Sequence, residues 1–532
     1  MEDTAEKDTT GPAPDVEDTS DYPHGVKLLL LMVALCLSVF LVALDITIIA
    51  TAAPHITDQF KSLEDVGWYG SAYMLAMGST QLLFGKFYQM LPIKWVYICA
   101  IVLFEIGSAI CGAANSSNML IGGRAVAGFG CAGIFSGAMI ILAHAVPLQR
   151  RPLYTGIVGT MFGLASVAGP LMGGGFTTSA ATWRWCFYIN LPVGGIALFV
   201  MVFLFKMPKS ADHEPQHLFL LDRINQFDPF GTLVFIPGII SLLLALQWGG
   251  TKYPWSDGRI IALFVVFGVL ILAFGIIQIW KQDNATVVPR VFKVRSIWAG
   301  AAFSFCLGAS FFIIVFYLPI WFQAIKGVSP IRSGIDTIPM ILSDVGCLLA
   351  GALITVFGVY TPYLYLSTLL MSLGAGFLST LTPHTPAPRW IGLQIVFGLG
   401  VGAGLQIPVI AAQNVLPLAD VPVGVSLVMF AQTIGGALFI SVAQNVFTNQ
   451  LAEGIVRHVP GIDPLAVVQA GATSLTGLVS AQVLEQVVGV YNDALVAAFK
   501  VAIGLSAVSV VGAGAMEWKS IRKGKNVQMG VA

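Results

Sequence analysis

The chain has 532 residues, of which 56 % are hydrophobic and only 10 % charged. A soluble domain carries about 25 % charged residues, so a soluble globular protein is excluded and most of this surface must face lipid. Lys+Arg 27 balances Asp+Glu 27, which gives no electrostatic pull towards nucleic acid or an acidic partner.

The first residues, MEDTAEKDTTGPAPDVEDTSDY, are acidic and polar and lack the basic and apolar regions of a cleavable signal. Residues 1–25 read as a disordered tail. Six spans then begin near Val26, Gly67, Trp95, Met119, Tyr154 and Phe187. Residues 26–206 form a first bundle and 207–296 a connector, which holds two further spans starting near Gly231 and Arg259. Six last spans start near Ile297, Ser333, Pro362, Trp390, Val423 and Asp493. They make a second bundle over 297–519, with a long outer loop at about 449–492 and a tail at 520–532. The expectation is an all-α membrane protein of about fourteen spans, in two six-helix halves with an added central pair.

Lys and Arg set the orientation. With an even span count, about seventeen cations fall on the side of the termini and about eight on the other, so both termini are expected in the cytoplasm. The seven cysteines form no CxxC pair and read as small buried hydrophobes. The sequons at Asn115 and Asn284 are expected to carry no glycan.

Ionisable groups at bilayer depth are costly and therefore point to function. Asp45 in LVALDITIIATAAP and Arg124 in LIGGRAVAGFG are the leading pair, because a carboxylate beside a guanidinium can exchange a proton while the Arg stays charged. The structural alternative is an ion pair that only fixes helix register. Glu105 in the third span joins them as a proton-coupling residue, although a bond to a neighbouring backbone would also explain it. Asp344 in the tenth span is assigned to a substrate cavity, and Lys500 has a stem long enough to snorkel to the interface.

Small residues carry the next signal. In the fifth span Ala165, Gly169 and Gly173 recur every four residues, and Pro170 removes a helix bond to Ser166. A tight, kinked face of this kind suits a seam on which two halves rock, or simply close helix packing. In the fourth span Arg124, Gly128, Cys131 and Phe135 share a face. The twelfth span is glycine-rich up to Gln406 and Pro408 and is expected to be pliable. Gln406, Gln413 and Gln432 are candidates to line the substrate cavity.

These segments resemble the major facilitator superfamily, and within it the fourteen-span drug/proton antiporters. LDITIIATAAP resembles the first-helix motif, with Asp45 at its acidic position, and RAVAGFG the fourth-helix motif, with Ala127 in place of a frequent glutamine. Gly156, Gly169, Pro170, Gly173 and Gly174 match the fifth-helix antiporter motif, with Ala165 in place of one glycine. GKFYQMLPIK is a weaker match to the loop after the second helix, because Gln89 stands where that loop has Asp. TWRWCFYINLPVGG and LPIWFQAIKGVSPIRSGI resemble fungal members that export toxins and other secondary metabolites.

The resemblance implies proton-coupled efflux of an amphiphilic small molecule by alternating access, by a monomer in the cell membrane, with a vacuolar or vesicle membrane as the other location. Uptake of a nutrient or siderophore with protons is the competing direction. No HExxH pair, no Walker loop and no GxGxxG after a strand suggests an enzyme, a metal or a bound cofactor.

Overall fold

The computed structural model describes residues 22–62, 65–179, 182–205, 225–250, 252–342, 345–459, 467 and 481–522. The polar tail, most of the stretch before the seventh span, and Asp344 lie outside the described residues.

The first half contains α1 (Val26–Phe60), α2 (Val66–Met90), α3 (Ile93–Gly112), α4 (Ser117–Ala145), α5 (Arg151–Thr178) and α6 (Trp185–Leu204). The central pair is α7 (Pro229–Trp248) and α8 (Gly258–Lys281). The second half contains α9 (Arg295–Lys326), α10 (Ile331–Phe357), α11 (Thr361–Leu378), α12 (Ala387–Val415), α13 (Val421–His458) and α14 (Ala481–Ala515).

Twelve of the described helices are long and apolar enough to cross a membrane, where the sequence led us to expect about fourteen spans. The other two are α2 and α11, of 25 and 18 residues. Tyr, Ser, Thr and Gly lower their hydropathy, and both helices are packed among neighbours that accept those groups. Tyr73 of α2 donates to the Val42 carbonyl (3.4 Å), and Ser367 of α11 to that of Gly400 (2.6 Å).

The contact pattern repeats between the halves. α1 packs on α5 as α9 packs on α13; α3 on α4 as α11 on α12; α2 on α4 as α10 on α12. Adding eight to each helix number maps one half onto the other, so the internal repeat is explicit in the packing. Two related contacts cross between the halves, α2 with α13 and α5 with α10. The central pair stands outside this arrangement. α7 packs on α2 and α13 and carries α8. The outer face of α8 presents Val269, Leu272, Ile276 and Trp280 at 60–75 % exposure, an apolar surface that only lipid can cover.

Local signals set several helix ends. Ser116 caps α4 by accepting from the Met119 amide (3.3 Å), and Gly327, at φ 64°, ends α9 in the left-handed region. Asp228 starts α7 by accepting from the Gly231 amide (2.9 Å). Its other oxygen accepts from Gln278 (2.8 Å) and from the amide and hydroxyl of Thr286 (3.0 Å each), so one buried carboxylate pins the connector that leads into the second half.

The sequence reading of a loop at about 449–492 needs correction at both ends. α13 continues to His458, and α14 starts at Ala481. Polar residues there cover the outside of helix ends whose inner faces are apolar. Leu451 and Ile455 belong to the same buried cluster as Val487, Val490 and Tyr491, and burial rather than mean polarity sets the helix length.

Candidate functional site

The site is built on a charge pair. α1 brings Asp45 and α4 brings Arg124 together, each 1 % exposed. Arg124 Nη1 donates to the Asp45 carboxylate and to the Asp45 carbonyl (3.3 Å), while Nε donates to the Tyr69 carbonyl (2.7 Å). The guanidinium also lies over the Tyr73 ring, 4.4 Å from its centroid. α2 can come this near because position 128 of α4 is Gly; a Cβ there would collide with the backbone of Tyr73. The face of α4 read from the sequence therefore has a specific purpose, in that Gly128 admits α2, which brings Arg124 the Tyr69 carbonyl and the Tyr73 ring.

A third helix completes the arrangement with a residue that the sequence reading missed. Asn190 of α6 is fully buried. Its Nδ2 donates to Asp45 Oδ1 (3.4 Å) and to Ser108 Oγ of α3 (3.1 Å). The available signal was a carboxamide inside an apolar run, YINLPVGG. Glu105, expected to act with the pair, lies one turn before Ser108 on α3 and makes no bond to either member. Both its oxygens are buried without a hydrogen-bond partner among the described residues, against Gly194, where a Cβ would strike the carboxylate. Lys500 is exposed on α14. Asp344, assigned to the cavity, lies outside the described residues.

A cavity opens between the halves one residue from the pair. Ile46 lines it beside Asp45, and Met74 lines it beside Tyr73. Its unfilled volume, part of it open to solvent, is about 730 Å³. Met77, Phe135 and Phe162 line it from the first half; Phe311, Phe312 and Leu405 line it from the second. Gln406, Gln432 and Thr433 are its polar groups.

Two of the three glutamines expected there are present. Gln413 is not. It donates instead to the Met139 carbonyl of α4 (3.0 Å), a bond between the halves. α12 explains the difference. It is interrupted between Gly404 and Ile407, just before Pro408, so the turn at Gln406 faces the cavity, while Gln413 sits on a separately aimed segment.

The fifth-helix glycines divide between two contacts. Ala165, Gly169 and Gly173 face α1: Thr47 Oγ1 donates to the Ala165 carbonyl (3.2 Å), and Cβ atoms at Gly169 and Gly173 would collide with Thr47 and Thr51. This stripe is therefore a contact inside the first half, not the seam between halves that its spacing suggested. The seam is made by other positions of the same motif. A Cβ at Gly156 would lie 3.0 Å from the Cys347 carbonyl, one at Gly174 2.9 Å from Ile331, and one at Gly334 2.8 Å from Pro170. Gly156, Pro170 and Gly174 thus hold α5 against α10. Pro170 does not end α5, which runs unbroken from Arg151 to Thr178.

Where α2 turns into α3, a second polar set ties the halves together. A Cβ at Gly85 would lie 2.7 Å from Ser426, so α2 and α13 are in backbone-range contact. Gln89 donates to Asp420 at the start of α13 (3.5 Å), and Arg290 of the connector grips the same carboxylate twice (2.7 and 3.2 Å). Lys86 donates to the carbonyls of Asp283 (3.3 Å) and Ala285 (3.1 Å). The carboxylate of this set is Asp420, on the α13 side of the contact, and Gln89 and Arg290 are its donors. Arg290→Gln or Asp420→Asn alone should each lower stability by on the order of 1 kcal/mol, as for a partly exposed pair, and the double variant should lose less than the sum of the two. Thermal unfolding of the four proteins as a cycle checks this.

Comparisons with known proteins agree with this architecture. A profile described as Major Facilitator Superfamily matches residues 35–440. The chain is 56 % identical over 516 residues to the MFS-type efflux pump MFS1 of Trichophyton rubrum, covering 97 % of this chain and 96 % of that one. It is 49 % identical over 510 residues to the efflux pump aflT of Aspergillus parasiticus, covering 96 % and 99 %. Among solved structures, the MFS proton:xylose symporter XylE superposes with a TM-score of 0.57 over 90 % of this chain and 94 % of that one, at 13 % identity, a likeness of fold alone. On the profile match and these relatives, the chain is a multi-pass membrane protein that belongs to the major facilitator superfamily.

Proposed function

We propose that this protein exports amphiphilic small molecules in exchange for protons by alternating access. The observation that carries the reading is the Asp45–Arg124–Asn190 cluster, which is buried where three helices meet and adjoins the lining of a cavity between two repeat-related halves. The names of relatives such as MFS1 and aflT support the outward direction.

In this reading a proton from outside binds the Asp45 carboxylate. Its bond to Arg124 loses its ionic character, and the guanidinium keeps its bond to the Tyr69 carbonyl and its place over Tyr73. α1 is then free to shift against α4, which moves Ile46 and the cavity wall with it. Reorientation exposes Asp45 inward, where the proton leaves and the pair re-forms. Asn190 orients the carboxylate for both steps. The second polar set, around Asp420, closes one end of the seam, and the small residues of α5 let α10 slide past it.

All fourteen long helices cross the membrane in this proposal, including α2 and α11. At 1.5 Å per residue the 18 residues of α11 reach about 27 Å, close to the hydrocarbon thickness. Both termini are cytoplasmic on the Lys and Arg bias, with bundles over 26–206 and 297–519. The protein works as a monomer in the plasma membrane.

Accumulation of a fluorescent amphiphile in pump-deficient yeast expressing the chain tests this reading. Expression should lower accumulation, and a protonophore should restore it. A rise on expression would mean uptake and overturn the direction; a fall that ignores the protonophore would overturn the coupling.

A further inference from the structure

The cavity described above carries a second conclusion, about what it binds, and it rests on the reading of the chain as a transporter that passes its cargo through this cavity. No Asp, Glu, Lys, Arg or His is among the residues lining it. The nearest buried charges, Asp45 and Arg124, are spent on each other and on the Tyr69 carbonyl. Thr433 is also spent, because its hydroxyl donates to the Met429 carbonyl (3.0 Å). The two glutamines differ from all of these. Among the described residues the side-chain amides of Gln406 and Gln432 have no hydrogen-bond partner. Gln406 is only 6 % exposed and Gln432 is half-buried, and both line the cavity.

Amides that face a cavity without a protein partner keep their donors and acceptors for whatever fills that cavity. Here two of them come from different helices, α12 and α13, into one space walled by Phe135, Phe162, Phe311 and Phe312 with Met74 and Met77. Phenyl rings favour flat aromatic faces, and methionines adapt to their outline. A cation or anion placed there would give up part of its hydration and find no counter-charge on the lining.

We propose that this cavity binds uncharged, flat aromatic molecules bearing hydrogen-bonding oxygens, and that Gln406 and Gln432 are the specificity-determining residues that pair with those oxygens. Net charge on the cargo, more than its size, decides entry.

The test is equilibrium binding to the purified full chain in lipid nanodiscs, with no gradient applied. Three probes share one anthraquinone ring and differ in a single substituent: neutral hydroxymethyl, anionic sulfonate or cationic trimethylammoniomethyl. The neutral probe should bind at least about tenfold more tightly than either charged one. Gln406→Leu and Gln432→Leu should each weaken the neutral probe about five- to tenfold. Gln432→Glu should raise affinity for the cationic probe, a gain that misfolding could not produce. The proposal is overturned if the neutral probe fails to bind, if it binds no better than the cation, or if both leucine variants keep full affinity. Because binding is read without transport, normal binding with no proton-driven export would fault the functional reading and leave this one standing.

Discussion

Asp45→Asn should abolish proton-driven export, reducing efflux of an amphiphile to the level of cells without the protein, while the chain remains inserted and folded. The amide nearly matches the carboxylate in shape and can still meet Arg124 and Asn190. The guanidinium loses its counter-charge but keeps the backbone carbonyls of residue 45 and Tyr69 and its place over the Tyr73 ring. The variant is therefore destabilised, but packing around α1, α4 and α6 is retained. What is lost is the group that gains and releases a proton. Removing the partner instead should act on the fold. Without Arg124 the Asp45 carboxylate keeps only the Asn190 amide among its partners. Breaking the buried pair from this side therefore costs the full amount of about 3–5 kcal/mol, and Arg124→Gln should accumulate poorly and lose its sharp elution in detergent. The double variant Asp45→Asn/Arg124→Gln removes that stray charge and should recover stability but no export. Thermal unfolding of the purified proteins, alongside efflux in cells, separates the two roles. Normal efflux from Asp45→Asn would remove Asp45 from the coupling step.

Gly173→Leu should reduce export to background. A single Cβ at Gly173 would already collide with Thr51 Oγ1, and it would lie 3.0 Å from both the Ile48 Cγ1 and its carbonyl oxygen. Three further carbons have nowhere to go unless α1 and α5 part. Overpacking of this kind costs about 1–3 kcal/mol or more, and parting the helices also moves Asp45, which lies on α1. Gly175 provides the control, because a Cβ there meets nothing within 4 Å; Gly175→Leu should export normally. Equal damage from both would point to helix propensity rather than to the α1 contact. Efflux rates with surface expression measured in the same cells distinguish these outcomes.

The composition alone determined that this chain lives in lipid, because so few charges cannot cover a soluble surface of this size. Apolar run lengths located the helices, and the rarity of charge at depth singled out Asp45 and Arg124 before any contact was known. The α5 spacing foretold a close helix contact, since Ala165, Gly169 and Gly173 must share a face. The partner of that face was not legible. α1 and α10 both approach α5, and periodicity says which residues align but not which neighbour they meet. Asn190 escaped for a related reason: one carboxamide in an apolar run has little weight until Asp45 and Ser108 are brought to it from two other helices. Glu105 has the burial expected of a coupling group but not the contact, because Gly194 makes room for it away from the pair. Gln406 and Gln413 are seven residues apart, a spacing that would place both on one face of an unbroken helix. The interruption before Pro408 turns Gln406 into the cavity and leaves Gln413 bonded to α4. Only the tertiary structure decides such matters, because they depend on how separate helices are aimed at one another, and side-chain periodicity within a helix carries no information about that aim.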